Sequence, residues 1–197
     1  AGFEMENDNH LLVCCGDYFD RGSENMKVLK FFERLKNKVL LKGNHEDMLQ
    51  KIFQTGDFKP HNYLNGTVQT INEFFGKYAL DTENNKVDFS GQTGNLNRVC
   101  EFFDELQNYF ETKNYIFTHG WLPTVENESG SFIIDNWRAA SPEIWEKARW
   151  KKWNEMYETC DRVEGKTIVC GHYHTSWGHS HLHQDRKEFP PKNRTGW

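Results

Sequence analysis

Four short apolar runs punctuate an otherwise polar chain, and each one ends on small or ligand-bearing residues. Residues 11–15 read Leu-Leu-Val-Cys-Cys and close on Gly16-Asp17, and residues 38–42 read Lys-Val-Leu-Leu-Lys and close on Gly43-Asn44-His45-Glu46. Residues 114–118 precede His119-Gly120, and residues 166–170 precede Gly171-His172-Tyr173-His174. Runs of this length, bounded by glycine and polar residues, predict buried strands. Between them the apolar period lengthens to that of a helix. Over 23–36, Met26, Leu29, Phe32 and Leu35 recur every third residue, with Ser23 placed as an N-cap. Val68, Ile71, Phe74 and Phe75 mark a helix over 67–78, and Leu96, Val99, Phe102, Phe103, Leu106 and Phe110 one over 95–111. Trp145, Trp150 and Trp153 stripe a fourth over 142–157, and another opens at Asn44 with 48–53 as its apolar part. Residues 56–66, 81–94 and 122–140 follow neither period and predict loops or turns.

Strand, helix and strand within residues 11–42 make a βαβ unit, whose strands are parallel and adjacent. Asp17 and Asn44 then leave the sheet side by side at its carboxyl edge, where open α/β sheets bind ligands. In Gly16-Asp17-Tyr18-Phe19-Asp20-Arg21-Gly22 two carboxylates lie three residues apart with an arginine beside the second. Carboxylate oxygens ligate Mn, Mg, Fe or Zn, and a guanidinium presents a planar fork to phosphate oxygens. Taken singly, the heptad also reads as an acidic surface turn, Asn44 as a helix cap, and His119 as a hydrogen-bonded structural residue. Four strand ends of the same kind argue against coincidence. Together Asp17, Asn44, His119, His172 and His174 form an oxygen and nitrogen donor set suited to a divalent ion. His45, with a pKa near neutrality, suits proton donation to a leaving alkoxide, and Asp20 suits orienting its ring. Arg21, Asn44 and His45 are expected against a substrate phosphate, with Arg149 or Arg138 as a second arginine. Asp8-Asn9-His10 has the form of a metal motif but precedes its strand, and it reads as a turn.

Composition narrows the partners. A net charge of −5 argues against general binding to nucleic acid or to an anionic membrane surface. No run approaches the roughly 20 apolar residues of a membrane span. Five cysteines, an odd number without a Cys-x-x-Cys pair, favour reduced thiols in a cytoplasmic setting over a disulfide framework.

The spaced motifs, from Gly16-Asp17-Tyr18-Phe19-Asp20-Arg21-Gly22 and Gly43-Asn44-His45-Glu46 through His119-Gly120 to Gly171-His172-Tyr173-His174, resemble the calcineurin-like metallophosphoesterase superfamily. The first two are similar to its branch of serine/threonine phosphoprotein phosphatases and symmetrical diadenosine tetraphosphatases, especially the bacterial members. The resemblance implies an α/β fold, an α/β/β/α sandwich of two packed sheets flanked by helices, spanning residues 1–197 as a single domain. It implies that Asp17 bridges two metal ions, that Asn44, His119 and His172 complete the second site, and that His174 serves the first. It implies His45 as general acid, Asp20 as its carboxylate partner and Arg21 as a phosphate-binding arginine. Mn²⁺ is the expected ion, with Fe, Zn or Mg as alternatives. The implied substrates are a phosphorylated protein or a small phosphoester hydrolysed by metal-activated water. The alternatives are a diadenosine polyphosphate hydrolase and a catalytically impaired relative that binds metal or phosphate.

The chain also departs from the family pattern. The family opens with a strand ending in Asp-x-His and then a helix, and ten residues before Leu11 are too few for both at about 3.3 and 1.5 Å of rise per residue. The sequence is therefore expected to lack the first strand-helix unit and the closing strands, to bind one divalent ion better than two, and to turn over phosphoesters weakly.

Overall fold

The computed structural model describes residues 4–173. The chain divides at Phe110 and Glu111 into two compact units. Each mixes helices with small sheets, the α/β character that the apolar pattern predicts.

In the first unit, β1 (Leu12–Cys14), α1 (Asn25–Arg34) and β2 (Lys38–Leu40) form the expected βαβ unit. The strands are parallel, with Leu12 opposite Lys38 and Cys14 opposite Leu40. Asp17 and Gly43 therefore lie at equivalent distances beyond the two strand ends. Helix α1 buries Leu29 and Phe32, but it begins at Asn25 and Ser23 does not cap it. Tertiary bonds fix that end instead, because the Asn25 N–H donates to Glu73 Oε2 and its Oδ1 accepts the Asp20 N–H.

Helix α2 (Asn44–Thr55) has Gly43 as its N-cap, so Asn44 is the first helical residue and not the cap. Residues 56–66 are more ordered than their composition predicts. They hold α3 (Pro60–Asn65), with proline in its first turn, where a missing N–H costs nothing. Gly66, at φ +83°, turns the chain into α4 (Thr67–Phe75). A two-residue hairpin follows, β3 (Leu80–Asp81) against β4 (Lys86–Val87), and then α5 (Thr93–Asp104).

The helix expected to reach residue 111 stops at Asp104 because the backbone finds other partners. Gln107 donates its N–H to Leu40 O at 2.9 Å and accepts the Lys42 N–H at 2.8 Å, and Tyr109–Glu111 becomes β5. The core of this unit is aromatic. Phe19 meets Phe74 edge to face at 5.1 Å, and Tyr18 meets Phe32 at 4.9 Å, over buried Leu29, Leu49 and Ile71. Each such side chain contributes about 1.5–3 kcal/mol by leaving water. That packing supports the turn carrying Asp17 and Asp20 from beneath, since Tyr18 and Phe19 lie between them in sequence.

The second unit is built on β6 (Tyr115–Thr118). A hairpin of β7 (Thr124–Asn127) and β8 (Gly130–Ile133) occupies part of the stretch expected as a loop. Its strands are short and carry few buried residues, so they leave little period to read. The helix expected over 142–157 is two helices, α6 (Pro142–Arg149) and α7 (Trp153–Thr159). The break has a steric cause. A Cβ on Gly120 would lie 2.6 to 2.7 Å from the carbonyl oxygens of Ala148, Arg149 and Lys151, and the Trp121 N–H bonds Ala148 O at 3.0 Å. The Ala148 carbonyl, in the last turn of α6, thus accepts a bond from the segment that follows His119, which also packs closely against the Arg149 carbonyl. Strand β9 (Thr167–Cys170) pairs in parallel with β6, Thr118 opposite Cys170. Among the described residues no helix is long and apolar enough to cross a membrane.

Candidate active site

The first unit gathers Asp17, Asp20, Arg21, Asn44 and His45 at the carboxyl ends of β1 and β2. Backbone strain marks the segment: Gly16, Asp17, Asp20 and Arg21 all have positive φ, at 88°, 57°, 74° and 58°. Non-glycine residues adopt that region only when their surroundings over-determine it. Here the restraint is Glu46. Its wholly buried carboxylate accepts the N–H groups of Asp17 and Gly43 at Oε2 and of Tyr18 at Oε1, each at 2.9 Å. Burial pushes the Glu46 carboxyl up and the Asp17 charge adds to that, while the three donors pull it back.

Gly43 is needed for steric reasons. A Cβ there would stand 2.3 Å from Asp17 Oδ1, 2.5 Å from Asp17 N and 2.7 Å from Glu46 Oε2. The glycine of Gly-Asn-His-Glu thereby lets the two strand ends close on one another. Asp17 Oδ1 in turn accepts the His45 N–H at 3.2 Å, and Asn44 is 2% exposed.

His45 and Asp20 form a buried pair. His45 Nδ1 lies 2.7 Å from Asp20 Oδ2, and the side chains are 6% and 0% exposed. The carboxylate also accepts the Thr67 hydroxyl at Oδ2 at 2.7 Å and the Thr70 hydroxyl at Oδ1 at 2.6 Å. As an acceptor on all sides, it fixes the ring with Nδ1–H donating. Burial disfavours the charged imidazolium, but the Asp20 hydrogen bond and the charges of Asp17 and Asp20 outweigh it. The pKa of His45 is raised above its ordinary value. Arg21 is exposed, and its Nη2 donates to Asn65 Oδ1 at 2.9 Å while Gly66 packs on its backbone.

In the second unit, His119 and His172 follow the paired ends of β6 and β9. The Gly171 N–H donates to His119 O at 2.8 Å, which holds the two segments in register beyond the sheet. His119 is wholly buried, and its Nε2 lies 3.2 Å from Nδ1 of His172, which has φ 62°. Metal-to-nitrogen bonds of about 2.0–2.1 Å place two imidazoles on one ion about 3.0–3.4 Å apart. The His119 and His172 separation fits that geometry.

The two candidate arginines differ. Arg138 is engaged with Glu111 through Nε and Nη2, both at 2.8 Å, and stacks over Trp137. Arg149 is 3% exposed in the last turn of α6. His174 lies outside the described residues. Asp8 and His10 sit in a turn, His10 Nδ1 accepting the Glu4 N–H at 3.0 Å.

Glu46, Thr67, Thr70 and Asn65 also serve the site, and the sequence pattern predicts a role for none of them. Glu46 had a local signal, three residues past the cap glycine, where a side chain reaches back to the N-cap N–H. The others come from α3 and α4, more than 40 residues from Asp20 and Arg21, and no local pattern links them.

A family model for the calcineurin-like phosphoesterases matches residues 2–176 of the chain. No curated protein matches it.

Proposed function

Because the chain belongs to the calcineurin-like phosphoesterase family, whose members are metal-dependent phosphoester hydrolases, we propose that it is a phosphomonoesterase acting on serine/threonine phosphoproteins. The observation that carries this reading is the buried His45 and Asp20 pair, beside the strained turn that presents Asp17 and Arg21. Asp17, Asn44, His119 and His172 are the proposed metal ligands, with His174 serving a second ion, and Mn²⁺ is the first ion to test. Bound there, a divalent ion supplies an acidified water as nucleophile and neutralises charge on the phosphoryl oxygens.

The protein's own groups do the rest. Arg21 binds phosphate oxygens through its guanidinium fork, held by Asn65. Asn44 and His45 complete the phosphate site, with Arg149 as a further candidate. His45 gives the proton on Nε2 to the leaving alkoxide, and its raised pKa keeps that proton in place near neutrality. Asp20 holds Nδ1–H and stabilises the imidazolium. An odd number of cysteines supports a reducing, cytoplasmic setting.

The test is a substrate screen with Mn²⁺: phosphoserine and phosphothreonine peptides against p-nitrophenyl phosphate and diadenosine tetraphosphate. Preferred release of phosphate from the peptides supports the reading. Preferred cleavage of the dinucleotide overturns the substrate assignment, and no turnover of any of them makes the chain a binding protein.

A further inference from the structure

Helix α4 carries two threonines whose side chains end on the partner of the proposed acid. Thr67 and Thr70 are both wholly buried, and residues three apart share a helix face. Their hydroxyls donate to different oxygens of Asp20, Thr67 to Oδ2 at 2.7 Å and Thr70 to Oδ1 at 2.6 Å. His45 Nδ1–H takes the remaining place at Oδ2, at 2.7 Å. A second constraint acts on the backbone, where the Asp20 N–H donates to Asn25 Oδ1 at 3.1 Å.

We propose that Thr67 and Thr70 are positioning residues, which fix the plane of the Asp20 carboxylate and through it the direction in which His45 presents Nε2. The inference rests on the reading of His45 as the general acid. The physical reason is geometric. A carboxylate with one hydrogen bond rotates about its Cβ–Cγ bond, and the ring it holds follows. Three donors on two oxygens define the plane. A shift of about 1 Å in the acid lowers the rate by about 100-fold while Arg21 and Asn44, which supply most of the phosphate binding, stay in place. Thr70 has a weaker alternative in Gly66 O at 3.3 Å, so of the two, Thr67 is the more completely committed to Asp20.

The experiment compares Thr67→Val with Thr70→Val, singly and together, against Thr67→Ser and Thr70→Ser in the full chain with Mn²⁺. Valine keeps the shape and removes the hydroxyl, and serine keeps the hydroxyl. The double valine variant is expected to lose about 10- to 100-fold in kcat on p-nitrophenyl phosphate with KM within about 2-fold, and serine to restore most of the loss. The downfield proton resonance of His45 Nδ1–H, assigned by its loss in His45→Ala, is expected to shift or broaden in the valine variants and to return with serine, whether or not the chain turns over substrate. Valine variants that keep both kcat and this resonance overturn the inference, as do serine variants that fail to restore either. His45→Ala separates the two readings. If it leaves kcat unchanged, the acid assignment fails, and if it lowers kcat while the valine variants do not, the positioning role alone fails.

Discussion

His45 Nδ1 stands 2.7 Å from Asp20 Oδ2, with both side chains buried. A charge-assisted bond at that distance in a buried setting fixes which ring nitrogen is left to face a substrate. Replacing His45 by alanine is therefore expected to lower kcat on p-nitrophenyl phosphate by about 100- to 10,000-fold, the usual contribution of a positioned acid. Metal content and the far-ultraviolet dichroism are expected to stay at the parent values. Equal loss of bound metal would place His45 among the ligands.

Glu46 holds three backbone N–H groups on a carboxylate that no water reaches. Glu46→Gln removes the charge and turns an NH₂ toward at least one of these donors. Urea denaturation is expected to show a loss of about 2–4 kcal/mol, the scale of a charged hydrogen bond plus an unsatisfied buried donor. A loss below about 0.5 kcal/mol, as for an ordinary surface change, would mean the strained turn holds itself.

Gly43 has an ordinary φ of −97°, so its requirement is for space and not for conformation. Gly43→Ala sets a methyl 2.3 Å from Asp17 Oδ1 and 2.5 Å from Asp17 N. Overpacking of this kind costs about 1–3 kcal/mol. Weaker Mn²⁺ binding is expected with it, measured by calorimetric titration, because Asp17 has to move.

These groups show what the sequence reveals and what it leaves hidden. The strand ends at Asp17, Asn44, His119 and His172 are legible because a buried strand is a short apolar run and its last residues are named by position. The βαβ unit is legible for the same reason, and its register then sets Asp17 beside Gly43. Thr67, Thr70 and Asn65 are not legible, since they act across more than 40 residues and their helices carry ordinary apolar faces. The end of α5 and the break between α6 and α7 are also hidden. In each, backbone partners distant in sequence, Gln107 on Leu40 and Trp121 on Ala148, outcompete a helical period that continues unbroken.

Glu111 is expected to make the fold less stable in acid. Hydrogen bonds from Arg138 and Lys166 hold its carboxyl at about 2, below the ordinary 4.5. The folded value is depressed, so the stabilisation is present above about 4.5 and is lost as pH falls from there toward 2. The guanidinium is 44% exposed, and water screens the pair to about 0.5–1 kcal/mol. Glu111→Gln is expected to flatten the fall in stability between pH 5 and 3, followed by urea midpoints. A profile unchanged by the substitution would assign the acid sensitivity to other carboxylates.

The family's chemistry is metal-dependent phosphoester hydrolysis, and Asp17, Asn44, His119 and His172 are the ligands proposed for it here. The most direct measurement is p-nitrophenyl phosphate turnover of protein stripped with chelator and titrated with Mn²⁺, with bound metal counted in the same samples, for the parent and for His119→Ala. No turnover is expected without metal, with recovery in step with metal bound, and with loss of both metal and turnover in His119→Ala. Full turnover by the stripped protein, or metal binding and turnover undiminished in His119→Ala, would contradict it.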